Sequence, residues 1–355
     1  MAVAAKRIET PPRVEARGVS LRAGLLTVGF LLAALVVGLA VGPQHIALGA
    51  ILRSALSYVP GLDVRDTLAG SDHGILWQLR APRVALAALV GGMLAIAGAS
   101  YQGVFRNPLC DPYLLGVAGG AGLGATLAIV YASTAGTSWA VPLASFCGAI
   151  AAVVVTYALG RSVGATHTTG ALVLAGVTMA TFTAAVQQFI QQRHPEQLQN
   201  VYSWLQGGFG TATWHDVGIC VPYIAVSSAV LLLHRRVLDV LSLGDDEAAS
   251  LGVNVARARL VIVVAATLGT AAAVSVSGLI AFVGIIVPHM IRLLVTTSYR
   301  AVIPLSLVAG AGFLVLADVL ARTVQSPAEQ SIGVITAFLG APFFAFVLRA
   351  ARSMR

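Results

Sequence analysis

Charged side chains are scarce in this sequence. Asp, Glu, Lys and Arg make up 10% of its 355 residues, whereas about 25% of a typical soluble domain is charged. Hydrophobic residues make up 57%, and they are gathered in runs of about 20 residues, the length that crosses a bilayer. The 37 glycines agree with this, because small residues let membrane helices pack closely. A water-soluble globule is therefore excluded, and the predicted class is an all-α polytopic membrane protein.

Cysteine is also rare, and the familiar catalytic motifs are missing. Cys110, Cys147 and Cys220 have no paired spacing, so they are interpreted as small packing residues rather than as a disulfide or a metal site. The sequence contains no GxxxxGK[ST] phosphate-binding loop and no HExxH, CxxC or GxSxG motif. Because these motifs carry nucleotide, metal and hydrolase chemistry, we predict a chain that is not an enzyme and that holds no cofactor or metal.

Carboxylates are almost absent from the apolar runs. Carriers driven by protons or sodium usually hold acidic residues deep within membrane helices. Here Asp318 lies towards the end of one run and Glu329 lies in the loop that follows it. With no nucleotide site of its own, the chain is predicted to take its energy from a partner. A secondary carrier or channel that works without ATP, and a membrane scaffold with no transport role, remain as alternatives.

The apolar runs predict ten membrane spans. The first is longer than the roughly 7–15 apolar residues of a signal peptide, so it is interpreted as a retained helix. A single ten-helix domain is predicted for residues 23–350, between a basic N-terminal tail at 1–22 and a short C-terminal tail at 351–355. The spans fall at about 23–42, 84–101, 113–131, 139–160, 168–191, 215–234, 256–274, 277–294, 301–321 and 331–349.

Lysines and arginines predict the orientation of the spans. With both termini in the cytoplasm, sixteen of the 22 basic residues lie in inner segments and six in outer segments, as the positive-inside rule requires. This bias explains the net charge of +8 better than binding to nucleic acid does. The outer loop at 43–83 is long and polar enough to fold against a partner. The six outer basic residues are Arg53, Arg65, Arg80, Arg83, Arg193 and Arg322.

The inner loop at 235–256 contains no span but carries the signals of a short helix. Asp245, Asp246 and Glu247 supply negative charge where a helix begins, and Gly252 suits the residue just after its end. Because about 20 residues is long for a connector between neighbouring helices, this loop is predicted to dock a partner.

Seven short motifs follow one another along the chain. In this order they resemble the FecCD/BtuC family, the permease subunits of type II ABC importers for ferric siderophores, haem and cobalamin. The resemblance covers about residues 44–350. The motifs are RAPR at 80–83, Gln102 with RNPLCDPYLLG at 106–116, YSWLQGGF at 202–209, LGDDEAASLG at 243–252, GLIAFVGIIVPHMIR at 278–292, GAGFL with ADVLAR at 310–322, and Gly333 with LGAPFF at 339–344.

The resemblance implies a fold, partners and a cargo. The expected assembly is a BtuC-like homodimer around a central translocation path, in the bacterial cytoplasmic (inner) membrane. Two separate ATPase subunits bind ATP and Mg at its cytoplasmic face, and a periplasmic or lipid-anchored binding protein delivers the substrate. A ferric siderophore is the expected cargo, and haem and cobalamin are the alternatives.

The resemblance also assigns roles to particular residues at the two faces. In the family, short inner helices fit a cleft on the ATPase, and the matching coupling residues are Leu243, Gly244, Asp245, Asp246, Glu247, Ala248, Ala249, Ser250, Leu251 and Gly252. Arg80, Arg83 and Arg322 match outer arginines that pair with glutamates of the binding protein in the cobalamin member. Interfacial snorkelling is the alternative for these three arginines, and Arg53 is a weaker docking candidate from the same loop.

Six residues are predicted to lie at the inner end of the translocation path or at its gate. Proline is unfavourable inside a helix and restricts the residue before it, so irregular backbone is expected near the Asn-Pro pair, and a break in helix register at the Pro-His pair. For Gln102, facing the path and packing are both left open. His289 has no partner that would make it a metal ligand or proton carrier. The six are Gln102, Asn107, Pro108, Pro288, His289 and Arg292.

Overall fold

All regular secondary structure in the described residues is helical, which confirms the predicted class. The computed structural model describes residues 18–44, 46–59, 61, 64–132, 139–162 and 169–353; the tails up to residue 17 and after 353 lie outside them. A π-helical turn, Ile75–Arg80, joins α3 to α4, and a 3-10 turn, Pro195–Gln197, precedes α8. The helices are α1 Leu21–Ala40, α2 Leu48–Ser57, α3 Gly70–Gly74, α4 Ala81–Val104, α5 Val117–Tyr131, α6 Ala140–Ser162, α7 Thr169–Arg193, α8 Leu198–Leu205, α9 Trp214–Leu233, α10 Arg235–Leu241, α11 Asp245–Ser250, α12 Val255–Ser277, α13 Val283–Leu294, α14 Tyr299–Thr323 and α15 Ile332–Ser353.

Each predicted span overlaps one helix of ten residues or more. In the described part of the chain, seven helical segments are long and apolar enough to cross a membrane, so the protein is a multi-pass membrane protein. Helices α5 and α13, with 15 and 12 residues, are shorter than the usual span of about 20. The count of ten crossings therefore stays a prediction.

Helix α4 forms the centre of the bundle. It packs against α9, α12, α13 and α14, and 21 of its 24 residues are buried. Glycines allow the closest of these contacts: a Cβ atom on Gly91 would lie 2.3 Å from the Gly310 carbonyl oxygen of α14. The middle of the single chain is thus filled with protein.

The helices differ from two of the predicted spans. The second span was predicted to begin at about residue 84, whereas the helical segment that contains it begins at Gly70, because the π-helical turn joins α3 to α4 without interruption. The eighth span was expected over 277–294, but residues 278–282 leave the helix, with positive φ at Gly278 (67°) and Phe282 (70°). At 1.5 Å per residue the remaining α13 is about 18 Å long.

Ion pairs between distant elements of the described part lie at the two ends of the bundle. Arg83 contacts Asp318 and Glu329 at one end, and Asp245 contacts Arg106 and Arg259 at the other. These two groups come from segments that the charge pattern assigned to opposite sides of the membrane. We call the end with Arg83 the outer end and the end with Asp245 the inner end, after that predicted orientation.

Candidate functional site

The inner loop at 235–256 folds into two short helices, α10 and α11, rather than the one predicted. The prediction of α11 is confirmed: it opens on three acidic residues, and Gly252 follows it with φ 83°. Helix α10 was missed, although its apolar spacing was a signal. Leu238 and Leu241 are fully buried against the bundle, so the helix forms by packing rather than through a local cap.

Polar contacts fix both short helices to the bundle. Asp245 of α11 accepts a hydrogen bond from Arg259 Nη2 of α12 at 3.0 Å and lies 3.2 Å from Arg106 Nη2. Asp239 of α10 is buried and accepts hydrogen bonds from Ser298 Oγ at 2.8 Å and from the Tyr299 backbone N–H at 2.5 Å. The loop is therefore connected to the starts of α12 and α14.

The face of α11 that points away from the bundle is exposed. Ala248 is fully buried, whereas Leu243 and Leu251 on either side of the helix are 51% and 63% exposed. Asp246 and Ala249 are exposed as well. A rigid element with two projecting leucines and acidic residues is suited to fit a cleft on another protein.

Gln102 packs inside the bundle, which favours packing over a position facing the path. It is 2% exposed, and its Nε2 donates hydrogen bonds to the Gly284 carbonyl at 3.0 Å and to the Cys110 carbonyl at 3.2 Å. Pro288 has no N–H with which to reach Gly284, four residues before it in α13. Gln102 satisfies the carbonyl that the proline leaves free.

Pro288 does not break the register of its helix, contrary to the prediction. Helix α13 runs through it from Val283 to Leu294. The donor from Gln102 removes the cost of the lost backbone hydrogen bond. The change of direction lies at residues 278–282 instead.

The segment between α4 and α5 is irregular, as predicted. Asn107 Oδ1 accepts from the Leu109 N–H at 2.9 Å, and Asp111 Oδ1 accepts from the Tyr113 N–H at 2.8 Å, so each X-Pro pair is enclosed by an Asx turn. Asn107 and Pro108 are exposed at the inner end. Burial raises the pKa of Asp111 to about 6, and the Tyr113 N–H opposes this shift.

His289 and Arg292 are held by aromatic rings. The His289 imidazole lies 5.8 Å and 6.1 Å from the ring centres of Phe343 and Phe344 in α15. The Arg292 guanidinium lies 5.5 Å from the ring centre of Tyr299. These contacts join α13 to α15 and α14, and the role of the two residues at a gate stays a prediction.

The outer arginines come together, but they are not the exposed docking groups that we expected. Arg80, Arg83 and Arg322 are 5%, 9% and 3% exposed. Arg83 forms ion pairs with Asp318 and with Glu329, both at 2.9 Å. The three arginines are buried because the groups that they contact belong to the same chain.

Two of these arginines also donate hydrogen bonds to the last carbonyl groups of α1. Arg80 donates to the Leu39 carbonyl at 2.9 Å, and Arg322 donates to the Gly38 carbonyl at 2.6 Å. The last carbonyls of a helix have no partner inside it, and a guanidinium with five N–H groups is well suited to supply one. A docking role for these arginines stays a prediction, and it requires that they leave these contacts.

Arg53 is the exception, since it is exposed on α2. The Ser54 hydroxyl next to it donates to Asp66 at 2.8 Å and accepts from Trp77 Nε1 at 3.0 Å, which attaches α2 to the turn before α4. The Leu68 amide and the Ser54 hydroxyl hold the pKa of Asp66 below its ordinary value. The described part of the outer loop is thus a folded surface from which Arg53 projects, and its contact with a partner stays a prediction.

Three of the motifs meet at the outer end through their backbones. Gly208 N–H donates to the Ser277 carbonyl at 2.8 Å, and Gly333 N–H donates to the Gln206 carbonyl at 3.1 Å. A Cβ atom on Gly278 would lie 2.2 Å from the Trp204 carbonyl oxygen. Glycine is required here because the chain segments leave no room for a side chain.

A polar stripe on α7 was missed in the sequence. Thr178, Thr181, Gln188 and Gln192 are exposed and recur at helical spacing on one face of this long helix. An exposed amide facing lipid is costly, so this face is suited to water or to a protein partner. The signal was present as T-x-x-T and Q-x-x-x-Q within an otherwise apolar run.

Comparison with known proteins agrees with the motifs. The model of the FecCD transport family matches residues 30–350. The cobalamin import system permease BtuC of Halobacterium salinarum is 42% identical over 78% of this chain and 73% of its own. The hemin transport system permease HmuU of Yersinia pestis is 36% identical over 93% of this chain and 97% of its own.

A solved structure of a metal-chelate type ABC transporter in an inward-facing conformation is also similar. It matches with a TM-score of 0.80 and 28% identity, and the match covers 93% of this chain and 100% of that chain. Family model, relatives and fold agree over almost the whole length. The chain belongs to the FecCD transport family, whose members are permease subunits of ABC importers.

Proposed function

We propose that this chain is the permease subunit of a type II ABC importer that moves a bulky metal chelate across the bacterial cytoplasmic membrane, with both termini in the cytoplasm. A ferric siderophore is the first candidate cargo. Haem and cobalamin stand beside it, since relatives named for hemin and cobalamin transport are similar over most of the chain. ATP and Mg are bound by two separate ATPase subunits, and an extracytoplasmic binding protein supplies the substrate.

The observation that carries this proposal is the geometry of α10 and α11. An importer without a nucleotide site needs a rigid element that transmits the movement of the ATPase. The two short helices meet this need, because Asp239 and Asp245 fix them to the starts of α14 and α12. Their open face presents Leu243 and Leu251 to a partner.

The packed interior supports a path at the surface of the chain. Helix α4 fills the centre of the chain. A bulky chelate therefore passes along one side of the helix bundle rather than through its middle. The polar stripe on α7 is the face we assign to the path. A second copy of the chain would close the path from the other side, which supports a homodimer with the path on its axis.

The assignment of the coupling loop is tested by Leu251→Asp. A carboxylate at this position would be buried and unpaired in the ATPase cleft, which costs several kcal/mol, so co-purification of the ATPase with the permease should fall at least tenfold. ATP-driven uptake should be lost, while insertion and melting temperature stay unchanged because the side chain is exposed.

Leu198→Asp is the matched control, since Leu198 is 46% exposed at the outer end. It should leave ATPase association unchanged. Normal ATPase binding and uptake in Leu251→Asp would refute the assigned role of α11.

A further inference from the structure

A cavity of about 380 Å³ opens at the inner end, next to the inner loop at 235–256. It lies between α6, α7, α12 and the segment that follows α4. Most of its wall is apolar and is formed by Phe105, Leu115, Leu172, Leu260 and Val263. A cavity of this size holds a small ligand or part of a larger one.

Three arginines line the same cavity: Arg161 at the end of α6, and Arg257 and Arg259 in the first turns of α12. Arg161 lies 6.0 Å from the ring centre of Tyr157, which also lines the cavity. Arg259 uses Nη2 for Asp245, while its buried Nε has no hydrogen-bond partner among the described residues. Asp245 is the one carboxylate of the described part that pairs with any of the three, and it is shared with Arg106.

The placement of Arg257 and Arg259 runs against helix electrostatics. The N-terminus of a helix carries a partial positive charge, so cations there are unfavourable and anions are favoured. Helix α12 has no acidic residue in its first turn. Two guanidinium groups add further positive charge at this end of the helix. A bound anion would neutralise that charge.

The apolar wall continues onto the exposed surface of α12. Leu260, which lines the cavity, is 42% exposed, and Val264 one turn further along α12 is 55% exposed. A ligand that fills both the cavity and this apolar surface therefore has an anionic group at the inner end and a hydrocarbon chain that runs along α12. One guanidinium group can donate two parallel hydrogen bonds to phosphate oxygens. Basic pockets between membrane helices are suited to acidic lipid headgroups.

We propose that this cavity binds the phosphate headgroup of an anionic phospholipid, with the acyl chains against Leu260 and Val264. Arg161 and Arg257 contact the phosphate, and Arg259 adds its positive charge from the cavity wall. A soluble phosphate could use the guanidinium groups, but it would leave the apolar walls empty. The proposal does not depend on the cargo or on the coupling role of α11.

The test is native mass spectrometry of the purified full-length chain with phosphatidylglycerol, phosphatidylcholine or inorganic phosphate. Phosphatidylglycerol should bind, and the double substitution Arg161→Gln with Arg257→Gln should weaken this binding about tenfold or more, since both charge-assisted contacts with the phosphate are lost. Arg259 is left in place so that its contact with Asp245 survives. The control is Arg235→Gln with Arg236→Gln, which changes two charges of α10 outside the cavity.

Three results would overturn the proposal. They are equal binding of phosphatidylcholine and phosphatidylglycerol, an unchanged affinity in the cavity variant, and displacement of the lipid by millimolar inorganic phosphate. If the cavity variant fails to fold, photoreactive phosphatidylglycerol is cross-linked to the unaltered chain. Labelled peptides should then contain Leu172 or Leu260, and labelling confined to other helices would equally contradict the assignment.

Discussion

At the scale of single residues, one proline and one glutamine depend on each other. Pro288 leaves the Gly284 carbonyl without its helical donor, and Gln102 supplies that donor from α4. Gln102→Leu would leave the carbonyl buried and unpaired, which costs about 1–3 kcal/mol. The free energy of unfolding, measured by denaturant titration in detergent, should fall by that amount.

A double-mutant cycle separates this effect from a simple loss of packing. Pro288→Ala restores a backbone N–H that can reach Gly284, so Gln102→Leu should cost less in that background. Part of the cost should remain, because Gln102 also donates to the Cys110 carbonyl. An equal loss in both backgrounds would show that the glutamine and the proline are independent.

At the scale of helices, the crossing of α4 and α13 is limited by one glycine. A Cβ atom on Gly98 would lie 2.0 Å from the Gly284 carbonyl oxygen, so Gly98→Ala must push the two helices apart, at about 1–3 kcal/mol. Gly218→Ala in α9 is the matched control, since that Cβ atom meets nothing within 4 Å. The control should be neutral or gain up to about 1 kcal/mol from helix propensity.

The comparison uses melting temperatures of the two variants in the same detergent. A large drop for Gly98→Ala alone supports the tight crossing, while equal temperatures would contradict it.

Individual helices could be predicted where the signal was local. Helix α11 was foreseen because acidic residues and a following glycine mark its two ends. Residues 278–282 were not, because GLIAF is as apolar as the helices around it. The sharp turn depends on close contact between Gly278 and the backbone at Trp204, which brings together segments more than 70 residues apart.

At the scale of the whole molecule, the charge pattern predicted the grouping of segments at two ends, but it did not predict which charges are buried. Arg83 pairs with Asp318 and Glu329, which lie 235 and 246 residues further along the chain. Only the fold brings them together. The same holds for the cavity at the inner end, whose three arginines come from two helices separated in sequence.

The central claim is that this chain moves a metal chelate only when an ATPase drives it. The most direct measurement is uptake into proteoliposomes that hold the permease with its ATPase and binding protein. A ferric siderophore, haem and cobalamin are offered one at a time, with and without ATP. We predict that one of them accumulates against its gradient with ATP and stays outside without it. Flux of equal size without ATP or without the ATPase would contradict the account and favour a secondary carrier.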